Sequence, residues 1–248
     1  MTSKVQLYLD GYERQARLAP GLLALLPVSI AIASLGLKAL TPVSLALGSL
    51  TVVGGPALLA DSVRDRGRKV EDRLNKQWGG RPSTQLLRTR NEAASSVQRD
   101  KWRSAVEKAT GATLATARSE ARSPLKADEL IESAVDDLRD EVRPDPQFHL
   151  LRRENKAYGF RRNCYGYRLR GLFIAVTCVA ILLVCFLFAR ALHQTRGVLV
   201  AAMVIDLGLG IFWIFRRPDW VRRAGDRYAY QLMQAAVVKA KLSSGADS

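Results

Sequence analysis

Histidine and cysteine are almost missing from this chain, with two of the first and three of the second among 248 residues. Cys164, Cys178 and Cys185 follow no metal-ligand spacing, and His149 and His193 stand far apart. Neither a zinc site nor a disulfide framework is expected, and no cofactor is expected. Also absent are the G-x-x-x-x-G-K-[ST] phosphate loop, a nucleophile–base arrangement and a paired-carboxylate constellation. These absences argue against an enzyme. No segment alternates polar and apolar residues as a strand does, so the fold class expected is all-α.

Charge is missing in blocks. Residues 18–37, 39–60 and 171–189 contain no Asp, Glu, Lys, Arg or His, and residues 197–215 contain only Asp206. Each block has about the twenty residues that a tilted helix needs to cross roughly 30 Å of hydrocarbon. The chain therefore reads as a polytopic membrane protein with four transmembrane helices. Ala31-Ile32-Ala33 resembles a signal-peptidase site. Asp10 and Glu13 lie upstream, and the apolar run continues almost directly into the next one, so a retained span is expected.

What remains is strongly basic, with a net charge of +15. Thirty-five of the 38 Lys and Arg residues fall in 1–17, 61–170 and 216–248. By the positive-inside rule all three segments are cytoplasmic, which gives a topology with both termini inside. The expected organisation is a first hairpin in 1–60, a basic helical cytoplasmic domain in 61–170, a second hairpin in 171–215 and a C-terminal helix in 216–248. The middle segment is too polar to hold a large core alone, so a homo-oligomer is expected.

Helix signals are clear in places. The stretch 61–78 prolongs the second span and stops at Gly79-Gly80. Two amphipathic helices are expected over 97–110 and 126–142, a charged helix running from Gln147 into the third span, and a last one over 219–242. Pro20, Pro27, Pro42 and Pro56 interrupt the first two spans. Tight bundle packing explains such breakers better than a gating hinge.

Two cytoplasmic stretches carry candidate anion-binding chemistry. In WGGRPSTQLLRTR, residues 78–90, the glycines free backbone N–H groups to cradle an anion, and Ser83 and Thr84 can cap a helix or donate to phosphate. Arg81, Arg88 and Arg90 offer forked donors, and Trp78 offers a stacking face. A capped helix–loop–helix with solvated arginines is the competing explanation. In ENKAYGFRRNCYGYRLRG, residues 154–171, Tyr158, Phe160, Arg161 and Arg162 interleave rings with cations, as single-stranded nucleic acid binders do. Attraction to anionic lipid, with tyrosines at the interface, explains Tyr165 to Arg170 well and Asn155 to Asn163 less well.

These blocks, together with YERQARLAPGLLALLP at 12–27, resemble recurrent blocks of a family of bacterial four-span membrane proteins. The blocks cover about a sixth of the chain. The layout is similar to the channel effectors of Hailong-type anti-phage defence systems. That resemblance implies an oligomeric ion channel whose cytoplasmic crown binds a single-stranded DNA signal that holds the channel shut. It also implies a nucleotidyltransferase that makes the signal.

Asp206 is the remaining candidate. Ala202 and Gly210 sit four residues to either side of it, so a stripe of small residues carries the carboxylate toward another helix or a narrow path. No span contains a cation to pair with it. Either it is a neutral acid hydrogen-bonded to Thr177, Ser44 or Ser49, or identical subunits set it in a ring facing water, as cation pores do. The leading expectation is an ion channel governed by a nucleotide or oligonucleotide. The alternative is a non-conducting scaffold that grips a protein partner or anionic lipid.

Overall fold

The computed structural model of the chain describes residues 14–35, 55–92, 94–188 and 196–246. Among these residues all regular structure is helical. A π-helical turn, Arg14–Leu18, leads into α1, Ala19–Ser34. Then come α2, Gly55–Gln77, α3, Pro82–Leu87, α4, Ser96–Thr110, α5, Ala117–Arg122, and α6, Pro124–Val142. After a 3-10 turn the chain continues through α7, His149–Leu187, α8, Arg196–Ile214, and α9, Pro218–Ala246. Of the second expected span only residues 55–60 fall within the described residues, and they open α2.

Among the described residues, three helices are long and apolar enough to cross a membrane: Gln15–Ser34, Pro146–Leu187 and Arg196–Ile214. Their faces are inverted relative to a soluble protein. On α8 the buried residues are Leu199, Ala202, Asp206, Gly210 and Trp213, while Val204, Ile205, Leu207 and Ile211 face outward. An exposed apolar surface of this extent suits hydrocarbon and not water.

The chain divides into two compact units, Met1–Asp72 with Gly159–Trp220, and Arg73–Tyr158 with Val221–Ser248. In the first unit α8 packs on α1, and Ala31, Cys178, Leu182, Leu199 and Ala202 form one apolar cluster. A second cluster joins Ala24, Val63, Cys164, Tyr167 and Trp213. The π-helical turn sits where Asn163, fully buried, donates its Nδ2 to the Ala16 carbonyl at 2.6 Å. Gly67 of α2 lies directly against Asn163, and Gly166 brings α7 onto the backbone of α2 at Arg66.

Residues 61–170 do not supply the second unit's core alone: Leu232, Met233, Ala235 and Ala236 of α9 join Trp102 and Val106 of α4 and Ile131, Val135 and Leu138 of α6. The helices over 97–110, 126–142 and 219–242 are present with their ends shifted by a few residues. Short α5 and the π-helical turn were not anticipated.

Candidate functional site

The loop around Gly79 and Gly80 begins as a helix end. Both glycines have positive φ, 75° and 128°, which side chains disfavour. With the chain turned this way, the N–H groups of Trp78 and Gly80 donate back to Leu74 and Asn75 at 2.9 and 2.8 Å, completing the C-terminal cap of α2. The donors expected to cradle an anion are thus engaged. The loop presents carbonyls inward instead. Gln85 Nε2 donates to the oxygens of Trp78 and Gly80, and Arg88 Nη1 donates to Gly79 at 2.6 Å.

The three arginines of this stretch meet carboxylates. Arg88 donates Nε and Nη2 to Asp128 at 2.8 Å each, and Arg90 Nη2 reaches the same carboxylate at 2.7 Å. Arg90 Nη1 donates to Glu120 at 2.7 Å, and Arg81 pairs with Asp136 at 3.0 Å. These are carboxylate clamps from α5 and α6; Arg88 is largely covered, whereas Arg81 and Arg90 stay partly exposed to solvent. Ser83 and Thr84 lie inside α3 and are buried, so Arg81 occupies the N-cap position that either hydroxyl could have filled. Thr84 Oγ1 has no hydrogen-bond partner among the described residues. The Trp78 ring carries a cation already, with Arg222 Cζ 5.1 Å from its centroid.

Glu120 was not singled out from the sequence, yet it is 1% exposed and accepts from the Thr89 N–H at 3.0 Å as well as from Arg90. Burial alone would raise its carboxyl, but the Thr89 and Arg90 donors outweigh burial and hold it below the ordinary value. A carboxyl depressed in the folded state contributes stability that is complete above its unfolded pKa, about 4.3. That contribution is lost as pH falls through the lower folded value. The wild-type chain should therefore lose stability on acidification below about pH 4 more steeply than Glu120→Gln. Urea unfolding followed by tryptophan fluorescence measures both, and parallel acid limbs would contradict the clamp.

The second stretch is divided between the units. Tyr158 belongs to the unit containing the arginine loop, where it stacks on Tyr228 at 6.2 Å between centroids. Phe160, Arg161 and Arg162 belong to the unit containing the apolar spans. There Phe160 meets Trp220 edge to face, Arg161 Cζ lies 5.2 Å from the Trp220 centroid, and Arg162 pairs with Glu71 at 2.6 Å. Interleaved rings and cations exist as the sequence suggested, but they interlock with other helices.

A cleft of about 590 Å³ opens in the second unit between α3, α4 and α9. Its walls include Gln85, Gln98, Trp102, Arg222, Asp226 and Tyr230. Arg222 pairs with Asp226 at 2.8 Å and also donates to Gln85 Oε1. The buried Trp102 Nε1 has no partner among the described residues, and the Tyr230 ring packs against Trp102 edge to face at 5.9 Å. No short motif marks this cleft, because its residues are drawn from segments more than a hundred positions apart.

Asp206 is fully enclosed, and neither carboxylate oxygen has a hydrogen-bond partner among the described residues. A Cβ on Gly210 would lie 3.8 Å from that of Ala175, so the small stripe of α8 is the face covered by α7. Ala202, on the other side, belongs to the cluster with Cys178 and Leu182. Thr177 is exposed and does not bond Asp206, and Ser44 and Ser49 lie outside the described residues. Among the described residues no three His, Cys, Asp or Glu side chains converge as metal ligands do. No family model, no curated protein and no solved structure compared with the chain matches it.

Proposed function

We propose that the chain is an effector of the bacterial inner membrane, with both termini cytoplasmic, and that identical copies assemble as an ion channel in which Asp206 meets the permeating ion. The observation that carries this reading is the enclosed, unpartnered Asp206 at the centre of an apolar helix. A carboxylate there costs stability that a purely structural residue would not. The small stripe of α8 is covered by α7, and on this reading an arrangement of that kind does not conduct. Conduction requires α8 to turn until Asp206 reaches water.

The regulatory half of the proposal is an anionic signal, a nucleotide or single-stranded DNA made by a nucleotidyltransferase in the manner of a defence system. It acts on the basic second unit. The cleft beside Arg222 has room for a base and offers the Tyr230 ring for stacking. Phosphates compete with Asp136, Asp128 and Glu120 for Arg81, Arg88 and Arg90, which loosens the clamp. A non-conducting scaffold for a protein partner or anionic lipid is the second reading, favoured by the engagement of those arginines with acids.

Reconstituted vesicles test both halves. Ion flux is expected, and a single-stranded oligonucleotide is expected to change it. Oligonucleotide affinity should fall steeply between low and physiological salt, as phosphate contacts require. Absence of flux under every condition removes conduction and leaves the scaffold. Binding that is absent or insensitive to salt removes the signal.

A further inference from the structure

We infer that the arginines where α7 runs into its apolar stretch and α8 gives way to α9 form a docking site for anionic phospholipid headgroups. The inference does not depend on conduction or on a nucleotide signal. It begins from a contrast in charge partnering. Arg81, Arg88, Arg90 and Arg162 each meet a carboxylate. Arg168, Arg170, Arg216 and Arg217 meet none among the described residues.

Aromatic rings hold three of these cations instead. Arg216 Cζ lies 4.0 Å from the Phe212 centroid and 4.5 Å from that of Trp220. Arg168 Cζ lies 4.2 Å from the Tyr165 centroid, and Arg170 Cζ 5.3 Å from that of Tyr167. A ring engages the face of a guanidinium and leaves its in-plane N–H edge for an oxygen. Few of those edges are used. Arg216 donates Nε to the Phe212 carbonyl at 2.9 Å, and Arg168 donates Nη1 to the Arg216 carbonyl at 3.2 Å. A guanidinium has five N–H groups, so most donors of both residues remain for an external acceptor.

Depth and neighbours identify that acceptor. Gly171 of α7 lies directly against the Trp213 indole, which ties the start of one apolar stretch to the end of the other. Arg168 is three residues beyond that contact, about 4.5 Å along α7, and Arg216 lies in the short link just past the end of α8. The polar layer outside the hydrocarbon is roughly 5–7 Å deep on each side. The guanidiniums therefore stand at the level of lipid phosphates. Leu169 and Phe173 are 71% and 72% exposed beside them, an apolar surface that suits acyl chains and not a free inorganic anion.

Spin-labelled lipids in vesicles containing the full chain test the site. An anionic label should be retained at the protein more than a zwitterionic one by about fivefold for each arginine it engages, since each basic residue near the surface is worth about 1 kcal/mol. Raising salt should reduce that ratio, and the triple variant R168Q/R216Q/R217Q should bring it near one. The pair R118Q/R122Q, exposed positions of α5, serves as the control and should leave the ratio unchanged. Equal retention of both labels by the wild type, or a ratio insensitive to salt, overturns the inference without reference to any variant. So does full preference in the triple variant, or release of the anionic label by millimolar inorganic phosphate.

Discussion

Asp206→Asn should reduce ion flux through reconstituted vesicles by on the order of tenfold, the change produced by losing about 1.4 kcal/mol of ion interaction. The variant keeps the size and shape of the side chain and removes only its charge. Stability should move the opposite way. Asp206→Val, close in size, removes a buried carboxyl whose oxygens have no partner among the described residues. Leaving such a group unsatisfied costs about 1–3 kcal/mol, so the thermal midpoint of the valine variant should rise. A residue whose loss stabilises the fold while reducing activity is retained for function. Unchanged flux in Asp206→Asn would falsify the conduction reading. A fall in the midpoint of Asp206→Val would instead reveal a hydrogen-bond partner for the carboxylate.

The second large effect is expected at Gly67, where α2 and α7 cross. A Cβ added there would stand 1.8 Å from Asn163 Oδ1 and 2.9 Å from its Cγ. Asn163 has little freedom to retreat. It is fully buried, donates to the Ala16 carbonyl and accepts from Arg162 Nε at 3.3 Å. Gly67→Ala should therefore destabilise the first unit by about 3 kcal/mol or more, combining overpacking with loss of a buried hydrogen bond. Asn163→Ala alone removes the buried donor to the Ala16 carbonyl and should also destabilise. Adding Asn163→Ala to Gly67→Ala removes the obstacle, so the double variant should lose less than the sum of the two. Additive losses in thermal unfolding would mean that the two residues do not oppose each other.

The helices were legible because their ends are written locally. Gly79-Gly80 stops α2, and Pro124 opens α6, which ends before Pro144. The absence of charge from 18–37, 171–189 and 197–215 likewise located three helices of membrane-spanning length. The contacts that hold the arginines were not legible. Arg88 and Asp128 are forty positions apart, and Arg162 and Glu71 ninety-one, so no window of sequence reveals the pairing. An arginine suited to phosphate is equally suited to carboxylate, and composition does not separate the two. The contribution of α9 to the second unit's core was hidden for the same reason. Its apolar spacing told that a face is buried, but not against what. At Asp206 the sequence raised a conflict between an apolar segment and a charge, and its small neighbours pointed to another helix or a narrow path; α7 lies on that face.

The same carboxylate has a consequence for biogenesis. A translocating helix enters the bilayer when its summed transfer energy is favourable, and an Asp at the centre contributes about +3 kcal/mol. The Val, Leu, Ile and Phe residues of α8 number ten. At about −0.3 to −0.6 kcal/mol each they supply roughly −3 to −6 kcal/mol, so α8 stands near the threshold of inserting alone. Helix α7 emerges first and is far more apolar over its second half, with no acid or base in 171–189. Insertion of α8 is thus helped when α7 already lies in the bilayer to receive the small, carboxylate-bearing face, which gives the order of synthesis a part in how Asp206 reaches its place.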